Sequence, residues 1–230
     1  MLEPEKKYKM INQSSDTKET YVYEKIKEGI IKNEFPPGTV MVERKLCELY
    51  NVSRSPIRNA LRQLSTEGLL DVEQGIGIVV PIYTLEDILE VYDLLEVLQV
   101  YAISTSLKNY DDIAIGMLET IIENTKLQLT DGDLNQRMDW DVKFHEYIIH
   151  RVGNKRLDMI FELLLNQKRR FDITSLNDVD HATDATGQHE AILEAIKSGD
   201  VEESCKAIKE HLSYIKKYYI NKLVTGKYNI

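Results

Sequence analysis

The chain has 230 residues, of which 43% are hydrophobic and 29% are charged, and its formal net charge at pH 7 is −9. These values are typical of a soluble globular protein with one or two domains. No apolar run approaches the length that spans a bilayer, and the first ten residues are too charged for a signal peptide, so we expect a cytoplasmic protein without a membrane segment.

The negative charge is concentrated in the second half of the chain. Residues 17–82 hold nine basic and nine acidic side chains, whereas residues 83–230 hold 17 basic and 26 acidic side chains. Residues 1–16 have few apolar side chains and no periodicity, which predicts a disordered tail. We therefore predict a tail, a first domain over 17–82 and an acidic second domain over 83–230.

Two helices and a tight turn open the first predicted domain. Apolar periodicity predicts a helix over residues 21–33, which a proline–proline–glycine sequence ends. A second helix is predicted over residues 43–50, with Leu46 and Leu49 facing inward. Residues 51–52 then form a short turn into the next helix, as in a helix-turn-helix.

The third predicted helix carries an arginine stripe opposite an apolar stripe. Ser53 is suited to its N-cap and Gly68 to its C-terminal stop. Arg54, Arg58 and Arg62 recur every four residues and so lie near one face, and no acidic residue interrupts them. Such a helix fits a DNA major groove, although an ordinary surface helix with solvated arginines has the same pattern.

Two short apolar runs around a glycine turn follow this helix. Residues 69–73 and 78–80 are the runs, and residues 74–77 are the turn, which predicts a β-hairpin. Three helices and a hairpin wing together predict a winged helix-turn-helix.

The rest of the chain is predicted to be helical. Six amphipathic helices are expected, at about residues 85–108, 111–129, 133–151, from 154 onwards, 184–198 and 200–223, with a loop over 174–183. Leu94 is among the side chains predicted to face inward. Short connections between such helices predict an antiparallel six-helix bundle, so the fold class is mainly α.

Three histidines and one carboxylate form a candidate metal site in the second domain. Asp141 and His145 are four residues apart on one predicted helix and point the same way. His189 and His211 lie on two other helices beside apolar residues. If these side chains converge, they suit Zn²⁺, Ni²⁺ or Mn²⁺ and leave coordination positions open; the alternative is that each histidine only packs in the core.

Residues 20–81 closely resemble the winged-helix DNA-binding domain of the GntR family of bacterial transcription regulators. The matching motifs are I-x-x-x-E-F-P-P-G, E-R-K-L, V-S-R-S-P-I-R-x-A-L-x-x-L and E-G-L-L, followed by the glycine wing. The resemblance implies that arginines contact phosphates or guanine edges, that two serines support them and that the wing tip approaches the minor groove. The residues concerned are Arg44, Arg54, Arg58, Ser53, Ser55 and Gly75.

Residues 85–222 resemble the all-helical ligand-binding domain of the FadR-type branch of that family. The matching motifs are D-x-x-F-H-x-x-I, G-N-x-x-L, H-x-x-I-L-x-A-I and G-D. The resemblance implies that Asp141, His145, His189 and His211 bind a divalent metal, with zinc favoured, and that a small organic or sugar acid binds it through a carboxylate. His150 and His181 match no motif and are predicted to lie on the surface.

One departure from the pattern concerns the first helix of this domain. Its R-x-x-L-E pattern is replaced here by Leu95 and Gln99 at the corresponding places. The arginine that would help to hold an acidic ligand is therefore lost or replaced. Arg170 and Asn166, on the fourth helix of the domain, are the candidates for the replacement, with Arg169 as an alternative to Arg170.

The resemblance and the residues together predict a DNA-binding transcription regulator and not an enzyme. We expect a homodimer that binds a pseudo-palindromic double-stranded operator, with operator affinity controlled by an acid effector at the metal. One alternative is a regulator whose metal is structural or is itself the signal, without an organic effector. A metal-dependent hydrolase is a further alternative.

Overall fold

The computed structural model describes the backbone of residues 4–130, 134–172 and 175–225. Side chains are described within these ranges from residue 18 onwards, except at positions 134, 135 and 223. The chain divides into two compact units after Ile82, at the position where the sequence predicts the domain boundary. Within the described ranges, no helix has both the length and the apolar character needed to cross a bilayer.

Helix α1 extends further towards the N-terminus than the sequence predicts. It spans Pro4–Ile31 and so includes most of the segment 1–16, for which the sequence predicts a disordered tail; residues 1–3 lie outside the described residues. The glutamates and lysines of this segment favour helix without forming an apolar stripe, and proline is tolerated in a first helical turn. The lack of an apolar stripe therefore does not indicate a lack of helix here.

Helices α2 (Glu43–Tyr50) and α3 (Arg54–Thr66) complete the helical part of the N-terminal unit. Helix α3 packs against both α1 and α2, and its apolar stripe is fully buried. The buried side chains of this unit include Val22, Ile26, Ile30, Leu46, Ile57, Ala60, Leu61, Leu64, Leu69 and Leu70. Leu49, predicted to face inward, is 62% exposed. The α2 side chains that pack against the core beside Leu46 are Cys47 and Tyr50.

Local backbone signals mark the chain on either side of α3. Asn51 adopts the left-handed conformation (φ 52°, ψ 48°) that closes α2, and asparagine tolerates this region better than most residues. At the other end, Gly68 has φ +71°. The Gly68 N–H donates to the Ser65 carbonyl and the Leu69 N–H donates to the Leu64 carbonyl, which is the Schellman pattern.

The predicted wing is a two-stranded antiparallel hairpin. Strands β1 (Asp71–Glu73) and β2 (Gly77–Val79) pair so that Val72 faces Ile78. Gly75 lies in the connecting turn with φ +82°, a conformation that favours glycine. The N-terminal unit therefore has the three helices and hairpin wing that the sequence predicts.

The C-terminal unit contains six helices in its described residues, as predicted. They are α4 (Leu85–Ser106), α5 (Asp112–Thr130), α6 (Leu134–His150), α7 (Lys155–Asp172), α8 (Val179–Ser198) and α9 (Val201–Val224). Helix α8 begins at Val179, within the segment 174–183 that was predicted to be a loop. The Asp178 side chain accepts a hydrogen bond from the His181 N–H and caps this helix, a signal that apolar periodicity does not contain.

Helix α4 lies between several partners in this unit. It packs against α6, α7 and α9, while α5 packs against α6 and α8. Its buried face includes Tyr92, Leu95 and Gln99. Leu94, predicted to face inward, lies on the opposite side of the helix and is 53% exposed.

Candidate DNA-binding and metal-binding sites

The residues expected to contact DNA lie on the surface of the N-terminal unit. Arg54, Arg58 and the two serines Ser53 and Ser55 are exposed on or just before α3, on the side away from its buried stripe. Arg44 is exposed on α2, and Gly75 is exposed in the wing. Arg62, the third arginine of the stripe, is also exposed.

Arg58 is held by an acidic side chain of the preceding helix. Its Nε lies 2.8 Å from Glu43 Oε1, and the Arg58 side chain remains 61% exposed. Exposed ion pairs of this kind contribute little to stability. The Arg58 guanidinium is therefore readily available to another anionic group.

Three buried histidines converge in the C-terminal unit. Helices α6, α8 and α9 carry His145, His189 and His211, whose exposed fractions are 2% or less. The ring centroids are 5.0 Å apart for His145 and His189, 5.2 Å for His145 and His211, and 4.7 Å for His189 and His211. One ligand nitrogen from each ring lies within 4.8 Å of the others.

Two glutamines orient two of these rings. His145 Nδ1 lies 2.6 Å from Gln99 Oε1, and His211 Nδ1 lies 2.9 Å from Gln188 Oε1. Because an amide oxygen only accepts hydrogen bonds, Nδ1 carries the proton in both rings and Nε2 carries the lone pair. In a metal site, such a partner fixes the tautomer and the orientation of the ligand.

Asp141 divides its two oxygens between the histidines and a lysine. Oδ1 lies 3.7 Å from His189 Nε2, and Oδ2 accepts a hydrogen bond of 3.0 Å from Lys168 Nζ. Lys168, which is 5% exposed, also donates to Asp172 Oδ2 at 2.5 Å. Asp172 Oδ1 accepts hydrogen bonds from two tyrosines of α4 and α9, Tyr92 and Tyr219.

Burial keeps the three histidines neutral. It lowers the pKa of His189 to about 4, assisted by the charges of Lys168 and Arg137 against the opposing effect of Asp141. Burial, and then the neighbouring histidines, hold the pKa of His145 and His211 well below the usual value. Neutral imidazole is the form that binds metal.

The three histidines are placed to hold a divalent metal, and Asp141 Oδ1 lies beside one of them. His145 Nε2 and both ring nitrogens of His189 are buried without a hydrogen-bond partner among the described residues, which is costly unless another group engages them. Three imidazoles and one carboxylate oxygen are ligands that suit zinc and its neighbours in the first transition row.

A cavity lies beside the histidine cluster. Its volume is about 30 Å³. Its walls come from α4 and α6–α9, and its lining includes Tyr92, Arg137, Asp141, Lys168, Asp172, Ser175, His181 and His211. Asn166 and Arg170, the guesses for effector contacts, are buried but do not appear among the described residues that line it.

His181 is not a surface residue, contrary to the prediction. It is partly buried in the cavity wall, with its ring stacked on Tyr218 at 3.5 Å and on Tyr214 at 5.5 Å. Burial lowers its pKa to about 4. His150, by contrast, is exposed as predicted and pairs with Asp158 at 2.9 Å.

Four polar residues of this site escaped the sequence analysis. Gln99 was noted only as a departure from a motif, and Gln188, Arg137 and Lys168 were not selected. The sequence contains one signal for such residues, a polar side chain on the same helix face as buried apolar residues. Gln99, for example, is four residues from Leu95. That signal shows burial but not the partner across the bundle.

We expect the unfolding free energy of the metal-free protein to fall as the pH falls below about 6.5. The unfolded chain binds a proton at His189 with a pKa near 6.5, whereas the folded protein binds it only near pH 4, so acid favours the unfolded state. Between pH 6.5 and 5 this residue alone accounts for about 2 kcal/mol. Urea denaturation at pH 7 and pH 5 measures the difference, and an unfolding free energy that is equal at both would contradict it.

Comparisons with known proteins agree with both parts of the fold. The model of the gntR family of bacterial regulatory proteins matches residues 18–80, and the FCD domain model matches residues 90–214. A crystal structure of a GntR-type regulator from Rhodococcus sp. RHA1 covers 93% of this chain and all of its own, with a TM-score of 0.77 and 20% identity. That likeness shows a shared fold.

The curated relatives are transcription regulators. An uncharacterized HTH-type regulator of Bacillus subtilis (strain 168) is 26% identical over 208 residues, which cover 90% of this chain and 93% of the relative. The gluconate operon transcriptional repressor of the same organism is 28% identical over 176 residues, covering 74% and 72%. These relatives give no support to the hydrolase alternative. The chain therefore belongs to the GntR family of bacterial transcription regulators, with an FCD domain after its DNA-binding winged helix-turn-helix.

Proposed function

We propose that the operator affinity of this regulator is controlled by a small carboxylate that binds at a divalent metal, zinc being favoured over nickel and manganese. Asp141, His145, His189 and His211 would hold the metal. The observation that carries the proposal is the convergence of the three buried histidines within 4.8 Å. His145 Nε2 and both ring nitrogens of His189 have no hydrogen-bond partner among the described residues.

The residues around the site support this role. Gln99 and Gln188 fix the tautomers of two histidines, and Lys168 holds one oxygen of Asp141 so that the other stays directed at His189. The metal, when bound, supplies a Lewis acid that accepts a carboxylate oxygen. The adjoining cavity gives such an acid a place next to the ligands.

DNA binding is proposed for the exposed face of the N-terminal unit. Arg54 and Arg58 would contact base edges or phosphates from α3, with Arg44 on α2 and Gly75 in the wing at the backbone and minor groove. Ser53 and Ser55 support the arginines at the helix start. The effector changes operator affinity to the extent that it binds one arrangement of the regulator better than another.

A homodimer is proposed from the exposed face of α4. Leu94, Val97 and Tyr101 are 53%, 63% and 47% exposed, and their spacing places them on one side of the helix. Apolar stripes of this kind mark interaction surfaces. A second copy of the chain is the occupant that a pseudo-palindromic operator requires.

Leu94→Glu is expected to convert the dimer to a monomer, because a carboxylate in this apolar stripe would be buried in the interface without a partner. Analytical ultracentrifugation of the purified variant measures the mass. Met159→Glu is the matched control, since Met159 is 67% exposed on α7. If the Leu94→Glu protein still has the mass of a dimer, α4 does not form the interface.

The whole proposal is tested by operator affinity. Protein stripped with a chelator is reloaded with Zn²⁺, Ni²⁺ or Mn²⁺, and fluorescence anisotropy follows its binding to operator DNA with and without a panel of small carboxylates. The proposal expects that one acid changes the affinity only in metal-loaded protein. An affinity that follows the metal but ignores every acid would favour the alternative in which the metal is structural or is the signal.

A further inference from the structure

The charged side chains that line the cavity cancel one another. Asp141 and Asp172 contribute two negative charges, and Lys168 and Arg137 contribute two positive charges. Lys168 and Arg137 are 5% and 7% exposed, and each of the two aspartate side chains is 13% exposed. The described lining is therefore close to electrically neutral before a metal binds.

A divalent metal at the four proposed ligands adds two positive charges beside these largely buried side chains. Leaving net charge in a buried site is costly, and the cost falls when a ligand of opposite charge neutralises it. A monoacid would cancel half of the added charge, whereas a diacid would cancel all of it. This step rests on the proposed function, because it requires the metal.

Arg137 provides a place for the second acidic group. Its Nε is buried without a hydrogen-bond partner among the described residues, and its side chain lines the cavity. Lys168 is already engaged by Asp141 and Asp172. A guanidinium is a planar donor group that matches a carboxylate, so Arg137 is suited to hold one.

The size of the cavity favours a short acid. A cavity of about 30 Å³ holds roughly two water molecules. A sugar acid would need large movements of the lining side chains. A two- to four-carbon diacid needs smaller ones.

We propose that the effector is a short dicarboxylate, with one carboxylate directed at the metal and the other at Arg137. Arg137 then determines specificity for the second charge. Arg137, on α6, then makes the effector contact that the sequence predicts for residues of α7.

The test compares each diacid with its own monoamide, which has nearly the same shape but one charge fewer. Isothermal titration calorimetry of zinc-loaded, full-length protein measures binding of malonate and succinate against malonamate and succinamate. We expect at least one diacid to bind about tenfold tighter than its monoamide, or more, since hydrogen bonds between charged groups are the strong ones. In Arg137→Gln this ratio is expected to fall to about two.

The matched control is Arg156→Gln, because Arg156 is an exposed arginine of α7 and should leave the ratio unchanged. The rise in melting temperature on zinc addition shows whether Arg137→Gln is folded and metal-competent. The wild-type comparison of diacid with monoamide does not depend on any variant.

The outcomes separate this inference from the proposed function. Equal affinity for diacids and monoamides, or tighter binding of gluconate than of any short diacid, overturns the inference and leaves the metal-bound carboxylate intact. A ratio that survives in Arg137→Gln overturns the role of Arg137. If zinc binds and no acid of either kind does, the proposed function itself fails and the inference fails with it.

Discussion

His189→Ala is expected to abolish the rise in melting temperature that zinc produces in the chelator-stripped protein. The ring of His189 lies 4.7 Å and 5.0 Å from those of its two partners, so its loss removes a donor from the middle of the cluster. A ligand present at a thousand times its Kd stabilises the native state by about 4 kcal/mol, which amounts to about 10 °C for a domain of this size. Differential scanning calorimetry with zinc added back measures the rise.

The comparison must use the zinc-dependent rise and not the melting temperature itself. His189 is also stacked on Phe144 at 4.2 Å, so alanine leaves a cavity that destabilises the metal-free protein as well. His150→Ala is the control, because His150 is exposed and pairs only at the surface. A full zinc-dependent rise in His189→Ala would falsify the metal site as assigned.

Arg58→Ala is expected to weaken binding to the specific operator by about 1–3 kcal/mol if the guanidinium reads a guanine. The side chain is exposed on α3 and is paired with Glu43. Anisotropy titrations against operator and unrelated DNA separate two roles. A base contact changes the ratio of the two affinities, whereas a phosphate contact weakens both and lowers the salt dependence.

Lys32→Ala controls for the lost positive charge. Lys32 is an exposed residue of the same unit, paired with Glu28 at the end of α1, and its removal should leave operator affinity nearly unchanged. Unchanged operator affinity in Arg58→Ala would contradict the assignment of α3 as the reading helix. Glu43→Gln frees Arg58 from its partner and is expected to act in the opposite direction.

The sequence was sufficient for the elements whose signals are local. The arginine stripe and the signals at Ser53 and Gly68 predict α3 within its own residues, and the structure has the helix there. The spacing of Asp141 and His145 places two proposed ligands on one helix face for the same reason. Both patterns depend on the 3.6-residue turn and on nothing distant in the chain.

Apolar periodicity gave wrong predictions where an apolar side chain lies on the surface of the chain and not in its own core. Leu49 and Leu94 both fit an inward stripe, yet both are more than half exposed. A leucine indicates burial against something, and the sequence does not say whether that is the same chain or a partner. The exposed leucine of α4 is the basis of the proposed interface.

The polar part of the site could not be predicted because its contacts join distant helices. Gln99 and His145 are 46 residues apart, and Lys168 and Asp141 are 27 apart. No rule of local spacing links such pairs, and a lysine in a charged stretch of helix is usually solvated. Only the fold shows that Lys168 is buried between two carboxylates.

Helix α4 connects three features of the chain: the end of the wing, the histidine cluster and the exposed apolar stripe. Only residues 80–84 separate the end of β2 from its first turn, where Thr84 and Asp87 form reciprocal hydrogen bonds. Its inner side delivers Gln99 to a histidine, and its outer side bears the stripe around Leu94. A rotation of α4 about its own axis would therefore displace the Gln99 side chain and reorient the Leu94 stripe at the same time.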